Sequence, residues 1–196
     1  MKFFDYLEEK LERDFVVVYT GRFCPPHNGH ISVYKQLQQK FGADRVYILT
    51  SDKSSTSPLT FEQKVELFKM FGVKPNMIKK LNSAGYNGPA IMDTIGKPMT
   101  YGLIVAIGEK DQNRIATDRI KKDGTPGYFR RYVGKIELPA SEGGYVFIIK
   151  NEMSGDNIIN ASAIREAIKN NDYNAVAGYL SKNIFEKAKE MFNAVS

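Results

Sequence analysis

Phe15-Val16-Val17-Val18-Tyr19-Thr20-Gly21-Arg22-Phe23-Cys24-Pro25-Pro26-His27-Asn28-Gly29-His30 is the stretch on which the reading of this chain turns. It opens as a β-branched apolar run, the pattern of a buried parallel strand. It passes through a turn in which Pro25 and Pro26 fix φ and so present the following residues at low entropic cost. It ends where a helix-period stripe begins: Ile31, Tyr34, Leu37 and Phe41, with Gly42 as a stop signal. Strand, stiff turn and helix start is the arrangement by which α/β proteins hold phosphate. The first helical amides face the ligand, and the helix dipole favours negative charge. His27 and His30 are the only histidines in the chain, and both fall in this turn. Imidazoles there can donate hydrogen bonds to phosphate oxygens and take up charge. Gly21 is read as a backbone position closed to other residues, and Gly29 as a side chain removed at a crowded point.

Working outward, the same alternation continues. Phe4, Leu7 and Leu11 predict an amphipathic helix over 2–13. Arg45–Thr50 predicts a second strand, and the Ser/Thr-rich stretch 51–59 a loop. Thr60 and Gln63 form a capping-box pattern that opens a helix to about Phe71, closed by Gly72. Residues 74–100 are mixed, with an Asn-Gly pair at 87–88. Leu103–Ile107 predicts a third buried strand ending at Gly108. Residues 109–131 are polar, carry Asp-Gly and Pro-Gly turns, and read as a surface excursion. Ile136–Leu138 and Tyr145–Lys150 predict further strands, and the chain is helical from Ser162, broken near Asn170–Asp172 and at Ser181. Strands alternating with helices predict an α/β fold, a parallel sheet with helices on both faces. Ligands bind such sheets at the carboxyl ends of strands, next to a switch in strand order. The loops after Thr20, Thr50 and Gly108 are therefore expected to converge.

The bulk numbers bound the rest. A chain of 196 residues, 42% hydrophobic and 26% charged, is expected to form one soluble domain over 1–196, with 159–196 a C-terminal helical segment. No apolar run reaches the roughly 18 residues of a membrane span, and the acid-bearing N-terminus lacks a signal-peptide core. One cysteine, Cys24, cannot form an internal disulfide. These features predict a cytoplasmic protein. The net charge of +6 is scattered, with no run of five Lys or Arg. It fits a solvated basic surface or a pocket for an anionic small substrate better than a nucleic-acid partner.

Rival chemistries for the turn are weighed on the same residues. His-x-x-His could ligate zinc, but zinc needs three or four ligands, and carboxylates would have to supply the rest. The histidines could instead be structural. Cys24 as a nucleophile would need an activated thiolate; flanked by prolines, it reads as a small apolar filler. Farther on, Ser162 can cap a helix, and Arg165 lies one turn along, where a guanidinium can grip phosphate bidentately.

At this point the residues resemble a known family. His27-Asn28-Gly29-His30 is similar to the His-x-Gly-His core of the nucleotidylyltransferase superfamily, and Gly21–His30 resembles the form found in nicotinamide mononucleotide adenylyltransferases. Ile159–Arg165 resembles the superfamily's Ile-Ser-x-Thr-x-Ile-Arg signature, with Asn160 and Ser162 departing from it. Ser57–Lys64 resembles the Asn-Pro-Phe-Thr-x-x-Glu-Arg segment of the archaeal enzymes, with Lys64 in the arginine position. The resemblance implies a Rossmann-like fold and transfer of a nucleoside monophosphate, AMP from ATP ahead of CMP from CTP, to a phosphorylated small-molecule acceptor. It implies His27, His30 and Arg165 as catalytic residues. Thr20, Gly21, Arg22, Phe23, Gly29, Lys53, Gly108 and Ser162 form the expected nucleotide-binding set, and Lys35 and Lys64 are further cation candidates. Mg²⁺ would arrive on the triphosphate, with no protein metal cage. Pantetheine-phosphate adenylyltransferases share the core. Class I aminoacyl-tRNA synthetases are set aside, because they are longer and carry a second lysine-rich signature absent here. A nucleotide- or nucleic-acid-binding module without turnover is the alternative from another class. The acceptor and the oligomeric state, a homo-oligomer included, stay open.

Overall fold

The computed structural model describes residues 13–81, 86–149 and 161–194. The expected helix over 2–13 and the Ile159–Asn160 part of the second motif lie outside them. Six strands form a sheet in the order β3-β2-β1-β4-β6-β5. They are β1 (Phe15–Gly21), β2 (Val46–Thr50), β3 (Ile78–Lys80), β4 (Gly102–Gly108), β5 (Phe129–Arg131) and β6 (Gly144–Ile149). The β2/β3, β4/β6 and β5/β6 pairs are parallel. Five α-helices occur among the described residues: α1 (Asn28–Phe41), α2 (Phe61–Met70), α3 (Gly88–Ile95), α4 (Ala161–Lys169) and α5 (Lys182–Asn193). The architecture is α/β, as the alternation predicts, and Rossmann-like, as the resemblance implies. The chain divides into two compact units, Met1–Val18 with Ser83–Ile149 and Tyr19–Asn82 with Lys150–Ser196.

In the unit that begins at Tyr19, local sequence chemistry sets the elements. The predicted stripe of α1 (Ile31, Tyr34, Leu37 and Phe41) is buried. Gly42 follows at φ +97, a conformation that favours glycine. In α2 both halves of the capping box form: Thr60 Oγ1 accepts from the Gln63 amide at 3.3 Å, and Gln63 Oε1 accepts from the Thr60 amide at 2.8 Å. Cys24, Leu59 and Leu67 pack with the apolar faces of α4 and α5 in one core cluster. Cys24 is therefore the apolar filler expected of it.

In the other unit the sequence reading needs two corrections. Ile136–Leu138 is not a strand: the amides of Glu137 and Leu138 both donate to Tyr145 Oη, at 2.8 and 2.9 Å, instead of to a neighbouring strand. The Asn87-Gly88 pair, noted in the mixed stretch, starts a helix. Asn87 caps α3 by accepting from the Ala90 amide at 3.1 Å, and a Cβ on Gly88 would collide with Tyr128 Oη at 2.0 Å. The excursion at 109–131 ends in a strand, β5, three residues long and thus too short to show a periodicity. β3, also three residues and in the unit that begins at Tyr19, is likewise hidden in the mixed 74–100 stretch.

Candidate active site

The turn between β1 and α1 holds its histidines by burial. His27 is 7% exposed, and its ring lies 3.7 Å from that of His30, tilted by 35°. Gly29 fits against this pair: a Cβ there would lie 3.1 Å from the His27 ring. Phe23 backs His30 edge-on at 4.9 Å, and it also touches Tyr19 and Phe68. Gly21 is needed for space, which corrects its reading as a special backbone position. A Cβ would meet the Phe23 ring at 2.7–3.0 Å, whereas the left-handed residue of the turn is Phe23 itself, at φ +43. Phe23 therefore sits in the core, supporting His30.

Burial also sets the charge of the pair. Desolvation lowers the His27 pKa to about 4. It pushes His30 well below its usual value, helped by the neighbouring His27 charge. Two imidazolium ions this close would repel in a low dielectric, so both rings are neutral at pH 7. Each keeps one N–H donor and one acceptor nitrogen.

Buried polar atoms without partners are rare in folded chains and ask for an explanation. Among the described residues five side-chain atoms are in this state: Thr20 Oγ1, His27 Nδ1, His30 Nδ1, Ser57 Oγ and Arg13 Nε. Four of the five fall in the Phe15–His30 stretch or in the Ser57–Lys64 segment. The α1 N-terminus adds backbone donors. Asn28 N–H is taken by Tyr179 O at 2.9 Å, while the Gly29 and His30 amides belong to the first turn, which lacks intrahelical acceptors.

Arg165 reaches this turn from α4. Its Nη1 donates to Cys24 O at 2.9 Å and its Nη2 to Ser162 Oγ at 3.0 Å. The two motifs thus meet through one guanidinium. Ser162 is not the cap it was expected to be, because α4 already runs from Ala161; its hydroxyl instead orients Arg165.

The loop after β2 joins the same turn, with Thr50 Oγ1 donating to Arg22 O at 3.2 Å. Arg22 Nη1 donates to Thr56 Oγ1 at 3.2 Å. Lys53 and Lys35 are exposed. Lys64 is fully buried. Its ammonium donates to Ser51 O at 2.8 Å, and burial lowers its pKa. Lys64 therefore holds the loop from beneath. Gly108 ends β4 in the other unit, with open space where a Cβ would stand.

Sequence reasoning missed Asp52. Its carboxylate pairs with Lys80 and accepts the amides of Lys53 at 2.8 Å and Phe61 at 3.0 Å. The hydrogen bond from Lys80 comes first among the causes that hold its carboxyl well below the usual range. The position of Asp52 just past a predicted strand was the available signal. Ser57 was quoted only as part of a motif, and nothing in sequence marks its hydroxyl as unpartnered. Among the described residues no group of three or more His, Cys, Asp or Glu could hold a metal ion, and no helix is long and apolar enough to cross a membrane.

Residues 18–86 match the cytidylyltransferase-like family model. Proteins of Legionella pneumophila strains, named "Probable nicotinate-nucleotide adenylyltransferase", are 36% identical over 63 residues, 31% of this chain. That match spans 29% of the relatives' own length. A Plasmodium falciparum nicotinic acid mononucleotide adenylyltransferase complexed with NaAD superposes with a TM-score of 0.59 at 15% identity, covering 90% of this chain and 95% of that one. Thermotoga maritima TmcAL bound with alpha-thio ATP superposes with a TM-score of 0.53 at 12% identity, covering 92% of this chain and 56% of that one.

Proposed function

We propose that this chain, a nucleotidylyltransferase-superfamily protein by its family match and its fold, transfers AMP from ATP to a pyridine mononucleotide and releases pyrophosphate. The observation that carries the reading is the set of buried, unpartnered polar atoms at Thr20, His27, His30 and Ser57. A triphosphate would satisfy them. An acceptor phosphate oxygen attacks the α-phosphorus, a P–O bond forms, and the bond to the β-phosphate oxygen breaks. The acceptor oxygen is already ionised, so no protein nucleophile or base is needed. The work left to the protein is positioning and stabilising charge.

His27 and His30 would donate to α- and β-phosphate oxygens from rings whose orientation Phe23 and Gly29 fix. The first-turn amides of α1 would add donors without cost in reorganisation. Arg165, already oriented by Ser162, would turn toward the β- and γ-phosphates and stabilise the leaving pyrophosphate. Arg22 and the exposed Lys53 stand at the loop edge as further cations. The donors among the described residues of the site are nitrogen, hydroxyl and guanidinium, groups that would bind phosphate, and Mg²⁺ would arrive on the triphosphate, held by phosphate and water. When bound, Mg²⁺ would neutralise phosphate charge.

The test pairs ATP or CTP with nicotinate mononucleotide, nicotinamide mononucleotide, phosphopantetheine and sugar phosphates, and reads pyrophosphate release. Release with ATP and a pyridine mononucleotide is expected. His30→Ala should lower that turnover roughly 10²–10³-fold, the usual cost of one transition-state donor, while the protein stays folded. No turnover with any pair, or near-normal turnover in His30→Ala, refutes the reading.

A further inference from the structure

We infer that Asn28 is a positioning residue, which ties the first turn of α1 to the carbonyls of Gly178 and Tyr179 and so aims the donors of the histidine turn. The inference rests on the nucleotidylyl transfer proposed for this chain. All the groups it invokes lie in the unit that begins at Tyr19.

The start of α1 lacks a side-chain cap. His27 stands at the N-cap, and its ring makes no capping hydrogen bond. A Ser, Thr, Asp or Asn in that position would cover the amide of the second or third helical residue. Here the cap side chain leaves those amides, on Gly29 and His30, uncovered. The first amide is treated differently: Asn28 N–H donates to Tyr179 O at 2.9 Å. The Asn28 side chain adds the neighbouring contact, with Nδ2 donating to Gly178 O at 3.3 Å. One residue thus binds two consecutive carbonyls from a segment 150 positions away.

The segment that offers them is itself fixed. It follows the short 3-10 turn Asn174–Val176, and the Tyr179 and Leu180 amides both donate to Val176 O, at 2.8 and 3.0 Å. The last carbonyls of a helical turn have no acceptor role within it, so those of Gly178 and Tyr179 are available to Asn28. Val176 and Leu180 are buried with Cys24, Leu59 and Ile164 in one core cluster. The Tyr179 ring stands perpendicular to that of His27, with centroids 6.5 Å apart.

The histidine turn is therefore held on both sides. Arg165 binds Cys24 O ahead of the two prolines, and Asn28 binds the 178–179 carbonyls just after His27. During transfer Arg165 turns toward the β- and γ-phosphates and releases Cys24 O. Asn28 is then the hold that keeps the turn in place. Its N–H and its side-chain donor both point at carbonyls, so it acts through its neighbours and touches no substrate. Misaimed donors cost most where geometry is strictest, in the transition state. The cations at the edge of the turn can still hold the triphosphate. The effect falls on kcat more than on KM.

The test compares the full chain with Asn28→Ala, which keeps the backbone contact and removes the side-chain donor, and with Asn28→Gln, which restores an amide donor on a longer arm. Pyrophosphate release with ATP and nicotinate mononucleotide is read together with amide hydrogen exchange at residue 28. In Asn28→Ala, kcat should fall about tenfold and exchange at residue 28 should quicken about tenfold, the equivalent of one hydrogen bond. KM for ATP should change less than about threefold. Asn28→Gln should recover most of both losses. The inference is overturned by a kcat within about twofold of the parent, by a loss that appears in KM alone, by unchanged exchange at residue 28, or by Asn28→Gln behaving as Asn28→Ala does. If the parent releases no pyrophosphate with any pair, the transfer reading fails, and the exchange measurement decides whether Asn28 holds the turn.

Discussion

Mild acid should destabilise this protein through its histidine pair before its carboxylates titrate. In the unfolded chain His27 titrates near 6.5, whereas burial holds it at about 4 in the fold. Between those values the unfolded state binds the extra proton, so stability is full above pH 6.5 and falls as pH drops toward 4. Each pH unit in that window withdraws about 1.4 kcal/mol per histidine. His27 alone therefore removes about 3 kcal/mol by pH 4, and His30, lowered by the same burial and by the His27 charge, acts in the same direction. Against a typical stability of roughly 5–15 kcal/mol this is a large fraction. Asp52 contributes in a separate window: its carboxyl is held below the usual range, so its stabilisation is lost only as pH falls below about 4.

The assay is urea unfolding at pH 7, 6, 5 and 4.5, for the parent and for His27→Gln. The parent curve should fall steeply between pH 6.5 and 4.5, and the variant should lose a large part of that slope. A triphosphate adds the complement. Its negative charge favours the imidazolium, so its binding should draw protons from solution below pH 6.5, measurable by calorimetry in buffers of different ionisation enthalpy. A flat unfolding free energy between pH 7 and 5, or a His27 resonance titrating near 6.5 in the folded protein, refutes the argument.

Three further outcomes follow from the geometry. Gly21→Ala drives a Cβ to within 2.7–3.0 Å of the buried Phe23 ring; overpacking of this kind costs roughly 1–3 kcal/mol, so the melting temperature should fall by several degrees and turnover with it, and an unchanged melt would show that Phe23 moves freely. Arg165→Ala removes the donors to Cys24 O and Ser162 Oγ; stability should drop by about 1–3 kcal/mol and ATP affinity should weaken, with Arg165→Lys recovering stability less than affinity, measured by denaturation and ATP titration. Asp52→Asn breaks an exposed ion pair with Lys80 but keeps an acceptor for the Lys53 and Phe61 amides, so stability should change by less than about 1 kcal/mol, and a larger loss would mean that the charge itself holds the loop.

What could be read from sequence was what local chemistry decides. β1, the α1 stripe and the Thr60/Gln63 box each sit within a few residues, and each is found where the pattern puts it. What could not be read joins distant residues. The Arg165–Cys24 bond spans 141 positions, the Asn28–Gly178 bond 150, and the Lys80–Asp52 pair 28. The Ile136–Leu138 run has the composition of a strand, yet the Tyr145 hydroxyl takes its amides, and no pattern in the run itself foretells that. The same division governs the site. Sequence names the histidines as groups able to donate and to carry charge, but only burial decides between those roles. At 7% exposure and a pKa of about 4, His27 brings no positive charge to an arriving triphosphate at pH 7. On the proposed reading, the attraction would come from the cations at the edge of the turn, Arg165, Arg22 and Lys53, and from the α1 amides. The rings would supply direction, and charge only after the phosphates have bound.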